Sequence, residues 1–281
     1  MSQLIQMNQR INAIETIKKI THATRLIAMS AHTRLANKEP LLTNYKNEIS
    51  KLFSQLTSCI ENIQEPLFNQ QANASGSLII LIGSQKGFCG TFNITLFKFF
   101  ELKFPHLSEN DTIIAVGRKA SDYLRKKKIE PLETFNNLSS STLDNITDLL
   151  TSLINKEMPS YKNVFIISSQ ATSFFLQKPH LAQIFPVKPQ EKDENCSLDT
   201  YIWPEQPEII IHSIGQLYID VTLKAILFSS LVAEQAARFH SMDSATRNAE
   251  DLLDVMRRDY NKLRQTKITK ELIELASSFE R

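Results

Sequence analysis

Residues 217–279 read LYIDVTLKAILFSSLVAEQAARFHSMDSATRNAEDLLDVMRRDYNKLRQTKITKELIELASSF, without a single Gly or Pro. Apolar residues recur there at helical spacing in two rows, Leu223, Leu227, Leu231 and Leu252, Met256, Tyr260, Leu263. Residues 231–281 carry nine basic and nine acidic side chains, which is typical of a solvated, charge-paired helix. Pro207 is tolerated at a helix start, so the pattern predicts one helix over 207–278. At the standard rise it would be roughly 100 Å long.

A second long helix is predicted at the other end of the chain, because residues 3–57 contain no Gly and a single Pro, Pro40. Apolar residues recur mostly at steps of three and four, at Leu4, Met7, Ile11, Ile14, Ile17, Ile20, Ile27 and Leu35. The strict heptad slips after Ile14, and the inward face then passes largely to Thr21, Thr24, Ala28 and Ala31. Pro40 should kink or split this helix.

The middle of the chain, residues 76–212, alternates strand and helix patterns. Continuous apolar runs at 77–82, 112–116 and 163–167 predict buried strands, and helices are expected at 94–102, 118–128 and 143–156. Further strands are expected near 173–176 and 183–187, followed by an exposed loop over 188–200. The predicted class is α/β, with a Rossmann-like three-layer domain around a mostly parallel sheet.

The terminal helices flank this domain and can bury their apolar rows only on each other or on a partner. We therefore expect a long antiparallel coiled coil of the N- and C-terminal helices. The predicted segments are a coiled-coil helix over 1–70, the Rossmann-like domain over 71–206, and a second coiled-coil helix over 207–281.

Composition excludes several classes of protein. Lys and Arg number 32 against 30 Asp and Glu, so a general nucleic-acid binder is not expected. The three cysteines, Cys59, Cys89 and Cys196, form no CxxC pair, which favours reduced thiols over a disulfide frame or a zinc site. Neither a signal-peptide core nor an apolar run of roughly 18 residues is found, so we expect the protein to stay where it is made.

The sequence also lacks the motifs of nucleotide chemistry. No GxxxxGK[ST] string occurs, and the loop after the first strand lacks the GxGxxG spacing, so we expect no cofactor and no catalytic residue. Four of the six glycines lie between residues 76 and 90, which indicates a loop that turns sharply or is closely approached. That loop is either a contact for a neighbouring subunit or a simple turn. Cys89 within it fits a small packing residue better than a nucleophile, because no His or Asp is close in sequence.

Polar residues on the C-terminal helix form a further candidate site. They are Arg238, Arg264, Gln265, Thr269 and Glu271, in a stretch where a plain coiled coil would favour repeated Glu and Lys. We interpret them as hydrogen-bonding groups for a partner outside the coiled coil. The alternative is an ordinary solvated helix surface.

Three groups of segments, in order along the chain, resemble the F-type ATP synthase γ subunit family. Residues 10–11 and 19–23 (KITHA) are similar to the family's opening helix. Residues 86–93 (KGFCGTFN) resemble its RGLCGGLN segment. The C-terminal helix is similar at 233–239 (AEQAARF), 242, 245–246, 248–249, 260–265 (YNKLRQ) and 268–272 (ITKEL).

The resemblance implies a non-catalytic rotor shaft that couples proton-driven rotation of a membrane ring to conformational cycling of catalytic β subunits. It implies the α and β subunits, the ε subunit and the c-ring of the membrane sector as partners. It also implies a peripheral position at the cytoplasmic face of a bacterial inner membrane. Departures from the family pattern at His22, Thr24 and Ala31 keep open a γ-like shaft of a paralogous motor. A Rossmann-like enzyme with helical arms is the weaker alternative.

The same resemblance implies which residues contact partners. Lys86, with Gly87, Cys89 and Gly90, would meet an acidic loop of a catalytic subunit. Gln265 and Thr269 match positions near the tip of the shaft that touch catalytic-subunit loops. Tyr201 and Trp203 either touch the membrane ring or cap the sheet.

Overall fold

The computed structural model describes residues 2–58, 74–187 and 207–279. The predicted loop over 188–200, the aromatic residues Tyr201 and Trp203, and both Cys59 and Cys196 lie outside the described residues. The chain divides into two compact units, Met1–Met29 with Arg238–Arg281, and Ser30–Ala237.

The described residues form helices and strands in the order α1 (Ser2–Ala36), α2 (Glu39–Ser58), β1 (Ser77–Ile82), α3 (Phe92–Lys103), β2 (Thr112–Val116), α4 (Arg118–Lys126), β3 (Glu133–Phe135), α5 (Leu143–Glu157), β4 (Asn163–Ser173), β5 (Leu176–Phe185) and α6 (Pro207–Phe279). The break between α1 and α2 is the one that Pro40 predicts. Pro40 lies in the first turn of α2, where a missing N–H leaves no helical bond unmade. The C-terminal helix is continuous, as its lack of Gly and Pro after Gly215 predicts.

One five-stranded sheet forms the centre of the larger unit, in the order β3-β2-β1-β4-β5. Strands β1 to β4 are parallel, with Ile80 of β1 level with Ile114 of β2 and Ile166 of β4. Only β5 runs antiparallel, paired with β4. The predicted mostly parallel sheet is confirmed, and the short β3 is an element that the sequence interpretation missed.

Helices cover both faces of this sheet and make the predicted three layers. On one face, Ile79 and Leu81 of β1 pack with Leu96 and Phe100 of α3 and with Leu124 of α4. On the other face, the alternate residues of β1 pack against α5 and the first half of α6, through Leu150, Ile154, Leu223 and Leu227. Side chains on both faces are apolar because both faces are buried, which is why the strand sequences read as continuous apolar runs.

The smaller unit is an antiparallel helix pair made by α1 and α6. Four polar contacts between the two helices define its register: Glu15–Arg257 at 2.6 Å, Lys18–Glu250 at 3.0 Å, Thr21–Thr246 at 3.0 Å and Arg25–Asp243 at 2.7 Å. Residue numbers rise along α1 while they fall along α6, so the helices run in opposite directions, as predicted.

The inward face of α1 differs in part from the expected one, although Thr21 and Ala28 are buried as predicted. Its covered positions keep the heptad steps of three and four beyond Ile14, at Leu4, Met7, Ile11, Ile14, Lys18, Thr21, Arg25 and Ala28. The expectation that Ile17, Ile20 and Ile27 continue the buried row is wrong, since these side chains are 48%, 59% and 70% exposed. Polar residues that pair across the helices hold the inward positions instead.

The matching face of α6 has the same spacing, with Met242, Thr246, Ala249, Leu253, Met256 and Tyr260 covered or half-covered. Leu252, which the sequence pattern placed in the row, is 45% exposed, and its neighbour Leu253 is buried instead.

By length and composition alone, one helix of the described residues could cross a membrane, namely α6 over Ile209–Leu275. In its most apolar stretch, 61% of the residues are buried inside the protein. This is the burial of a helix that packs in a core, and it accounts for the apolar composition.

Candidate partner-binding surfaces

The glycine-rich loop joins β1 to α3 at the carboxyl edge of the sheet. Its backbone is held by Ser84 and Asn93. The Ser84 backbone N–H donates to Asn93 Oδ1 at 3.0 Å, and Asn93 Nδ2 donates to Ser84 Oγ at 2.7 Å. The Ser84 hydroxyl in turn donates to the carbonyl oxygen of Lys86 at 2.9 Å. These bonds connect the start of the loop to α3 and to the backbone of Lys86.

Cys89 is a buried residue of this loop and is only 3% exposed. Its Sγ is 3.2 Å from the Lys86 carbonyl oxygen and 3.4 Å from that of Gly87. The side chain packs with Phe92 of α3. The structure therefore gives Cys89 the packing role that the sequence favoured. A partner would reach the outer residues of the loop first.

The outer residues of the loop are Lys86, Phe88 and Gly90, all exposed. Phe88 is 71% exposed and has a φ of 66°. This left-handed backbone conformation is energetically unfavourable for a bulky residue. Gly90 also has a positive φ, 56°. A Cβ built on Gly87 meets nothing within 4 Å, so the chain's own packing does not require glycine there. The sequence interpretation missed Phe88, whose signal was a large apolar residue between two glycines.

The C-terminal candidates separate into two groups. Arg264, Gln265, Thr269 and Glu271 are all exposed. Gln265 and Thr269 are one turn apart and line one open groove, where the Thr269 hydroxyl donates to the Gln265 carbonyl oxygen at 3.0 Å. Arg264 and Glu271 are two turns apart and lie on another side of the helix.

Glu271 is 3.5 Å from Lys267 and lines a second groove, with Gln3 of α1. Arg238 differs from these four because it is 7% exposed and buried within its own chain. A contact between Arg238 and a partner stays a prediction, as do the contacts predicted for the other residues.

Two arginines flank Asp243 in the helix pair. The Arg25 guanidinium donates to its carboxylate at 2.7 Å, and Arg247 lies 2.8 Å from the other oxygen. These cations, Arg25 first, lower the pKa of Asp243. Among the described residues, no group of three or more His, Cys, Asp or Glu side chains is arranged to hold a metal ion.

Solved structures share this fold. A chain of the Euglena gracilis mitochondrial ATP synthase, from the OSCP/F1/c-ring assembly in rotational state 3, has a TM-score of 0.72 at 13% identity, covering 99% of this chain and 94% of that one. A chain from the Tetrahymena thermophila ATP synthase central stalk and c-ring has a TM-score of 0.56 at 19% identity, covering 80% and 99%. At these identities the likeness defines a class of fold, that of rotary ATPase central-stalk chains.

Sequence comparison defines the family. A family model described as ATP synthase matches residues 3–280. An ATP synthase gamma chain of Clostridium perfringens is 30% identical over 282 residues, covering 99% of this chain and 97% of the relative. One from Clostridium novyi is 29% identical over 274 residues, covering 97% and 95%. The chain belongs to the ATP synthase gamma family. It is a non-catalytic, central-stalk subunit of a membrane-associated complex.

Proposed function

We propose that this chain is the rotor shaft of an F1-type motor, coupling proton-driven rotation of a membrane ring to conformational cycling of the catalytic β subunits. Its partners are the α and β subunits, which would enclose the helix pair, together with the ε subunit and the c-ring. Relatives named as gamma chains, and structural relatives described as rotor or as part of an OSCP/F1/c-ring assembly, support these partners. The proposed location is the cytoplasmic face of a bacterial inner membrane.

One observation carries the proposal, namely the exposed apolar side chains of the helix pair. Those of α1 are Ile5, Ile17, Ile20, Leu26, Ile27 and Met29, and those of the end of α6 are Ile268, Leu272, Ile273 and Leu275, all 40–70% exposed. Apolar side chains at this density on a solvated helix pair indicate a surface that a partner covers. A ring of subunits enclosing the pair would cover both helices.

The physical mechanism requires stiffness and asymmetry. The two helices carry different side chains, so a rotor enclosed by equivalent subunits presents a different surface to each one. Differential contact energy then shifts each catalytic site toward a different open or closed state. Rotation exchanges these states in order, and no residue of the shaft makes or breaks a bond.

Within this proposal, Arg238, Arg264 and Glu271 remain predicted hydrogen-bonding groups for a partner outside the helix pair, and Cys89 is a buried packing residue of the loop that the partner contacts. Lys86 with Gly87 and Gly90 contacts an acidic loop of a catalytic subunit, and Gln265 and Thr269 contact catalytic-subunit loops near the end of α6. Tyr201 and Trp203 contact the membrane ring. The division of the chain into segments 1–70, 71–206 and 207–281 is part of the same proposal.

Reconstitution with the α and β subunits of the same organism tests the function. We expect a stoichiometric complex with ATPase activity and single-molecule rotation of the chain. In this complex, Ile268→Ser with Leu272→Ser should weaken assembly at least about tenfold, because two covered apolar side chains are lost. Leu102→Ser is the matched control, since Leu102 is 76% exposed on α3 of the other unit.

A monodisperse chain that binds neither subunit contradicts the proposal. Assembly only with a second, paralogous set of α and β subunits would assign the chain to a divergent motor.

A further inference from the structure

The sheet has a point where its strand order reverses. From β1, the chain goes to β2 and β3 on one side and then to β4 on the other. In open α/β sheets, ligands bind outside the carboxyl ends of the strands at this reversal point, between the two strands that flank it. Here that position lies beyond the ends of β1 and β4, beside the glycine-rich loop.

The chain itself fills this position. Cys89 and Phe92, from the loop and the start of α3, pack there against Ala233 and Ala237 of α6, with Ala171 of β4 beside them. The small side chains of α6 let its backbone approach the loop closely. The reversal point is therefore occupied by a helix of the same chain.

Glu234 lies on the same part of α6 and is only 3% exposed. Its Oε2 accepts a hydrogen bond from the backbone N–H of Gln85 at 3.3 Å. A buried carboxylate is costly unless hydrogen bonds compensate it, so its presence calls for a specific role. Backbone N–H groups of such loops are the donors that bind anionic ligands in related folds.

We propose that Glu234 is an internal ligand of the reversal point, a positioning residue whose carboxylate replaces an external anion and fastens the glycine-rich loop to α6. The loop and the helix then move as one body. Any force that a partner applies to Lys86 or Phe88 reaches the long helix through this contact. The contact between Glu234 and the loop lies within one chain, so it can be tested without any partner.

Labelling of the Cys89 thiol measures how often the loop leaves α6. The background carries Cys59→Ser and Cys196→Ser, so that only Cys89 reacts with a thiol reagent. Glu234→Gln keeps a hydrogen-bond acceptor, whereas Glu234→Met keeps the size and removes the acceptor. Ser230→Ala, buried one turn earlier on α6, is the matched control.

We expect the Met variant to be labelled about tenfold faster than the parent chain, and the Gln variant and the control within about threefold of it. Labelling of the Met variant at the rate of the parent chain would mean that packing alone holds the loop and would overturn the proposal. Circular dichroism checks that each variant folds. If the Met variant does not fold, hydrogen exchange of the Gln85 backbone amide in the parent chain tests the bond to Glu234 instead. Slow exchange supports the bond, and exchange at the rate of an unstructured peptide overturns it.

Discussion

At the scale of single residues, the register of the helix pair depends on a pair of buried hydroxyl groups. Thr246 Oγ1 lies 3.0 Å from Thr21 Oγ1 and 2.7 Å from the carbonyl oxygen of Met242. Both side chains are nearly covered, at 2% and 9% exposure. A buried polar pair of this kind favours one register, because a shift of either helix would separate the two hydroxyl groups and leave the Thr21 oxygen without the donor from which it accepts.

A double-mutant cycle tests the pair. Thr246→Val should raise the rate of amide exchange across residues 11–28 and 242–256 by an amount equivalent to about 1 kcal/mol, because the acceptor on Thr21 is left unpaired. Thr21→Val with Thr246→Val should cost less than the sum of the single changes. Thr24→Val is the control, since the Thr24 hydroxyl donates to Ile20 of its own helix. Strictly additive changes would rule out the coupling.

The Arg25–Asp243 pair should make the stability of the helix pair depend on pH in the acid range. The pKa of Asp243 is lowered in the folded chain, chiefly by Arg25. The pair therefore adds stability above the unfolded pKa of about 3.9, and this is lost as the pH falls through the lower, folded value.

Asp243→Asn should thus reduce stability by about 0.5–1 kcal/mol at pH 7, with the difference disappearing once the pH falls below the lowered pKa of Asp243 in the folded chain. Amide hydrogen exchange of the helix pair, followed from pH 7 into the acid range, measures this difference in stability. A difference that persists unchanged in acid would show that the pair does not act through charge.

At the scale of elements, two glycines near the carboxyl edge of the sheet differ in whether the fold itself requires a glycine. Gly117 has a φ of 89°, and a Cβ there would lie 2.2 Å from the carbonyl oxygen of Gly83. Around Gly87 the space is open. The first glycine is required by the chain's own backbone, whereas the second leaves room for something outside it.

Gly117→Ala should therefore destabilise the larger unit by at least about 2 kcal/mol, measured by chemical denaturation, because strain and backbone contact both oppose it. Gly87→Ala should leave stability within about 0.5 kcal/mol. In the reconstituted complex, however, Gly87→Ala should weaken the predicted contact between the loop and the catalytic subunit, because the added methyl group enters the open space that the partner would occupy. A Gly87→Ala chain that unfolds as easily as Gly117→Ala would contradict this distinction.

The elements also show what the sequence could predict. Continuous apolar runs and long stretches without Gly or Pro predicted β1, β2, β4 and α6, because the run of apolar residues and the absence of helix-breaking residues are local features of the sequence. Strand β3 was missed, since its three residues are not fully buried and carry no apolar run. The inward face of α1 was predicted in part, with Thr21 and Ala28 inward as expected. Lys18 and Arg25 were missed because they are covered by partners on α6, a long-range fact that a hydrophobic pattern does not contain.

At the scale of the whole molecule, the candidate site was predicted in part. The loop at 86–90 was found from its glycines and from the family resemblance. Its fastening by Glu234, 149 positions later in the chain, could not be found, because only folding brings α6 to the reversal point of the sheet. A residue such as Glu234, which supports a contact surface from a distant part of the chain, is thus harder to identify from the sequence than the residues of the surface itself.

The last prediction concerns the charge of that loop in the assembled motor. If Lys86 meets an acidic loop of a catalytic subunit, Lys86→Glu should lower ATP-driven rotation and coupled ATPase activity about tenfold, because attraction becomes repulsion across the contact. The effect should diminish as salt screens the charges. Lys126→Glu is the matched control, since Lys126 is an exposed lysine at the end of α4, away from the loop in sequence. Equal losses in both variants, or a loss insensitive to salt, would remove Lys86 from the contact and leave Phe88 as the residue to test.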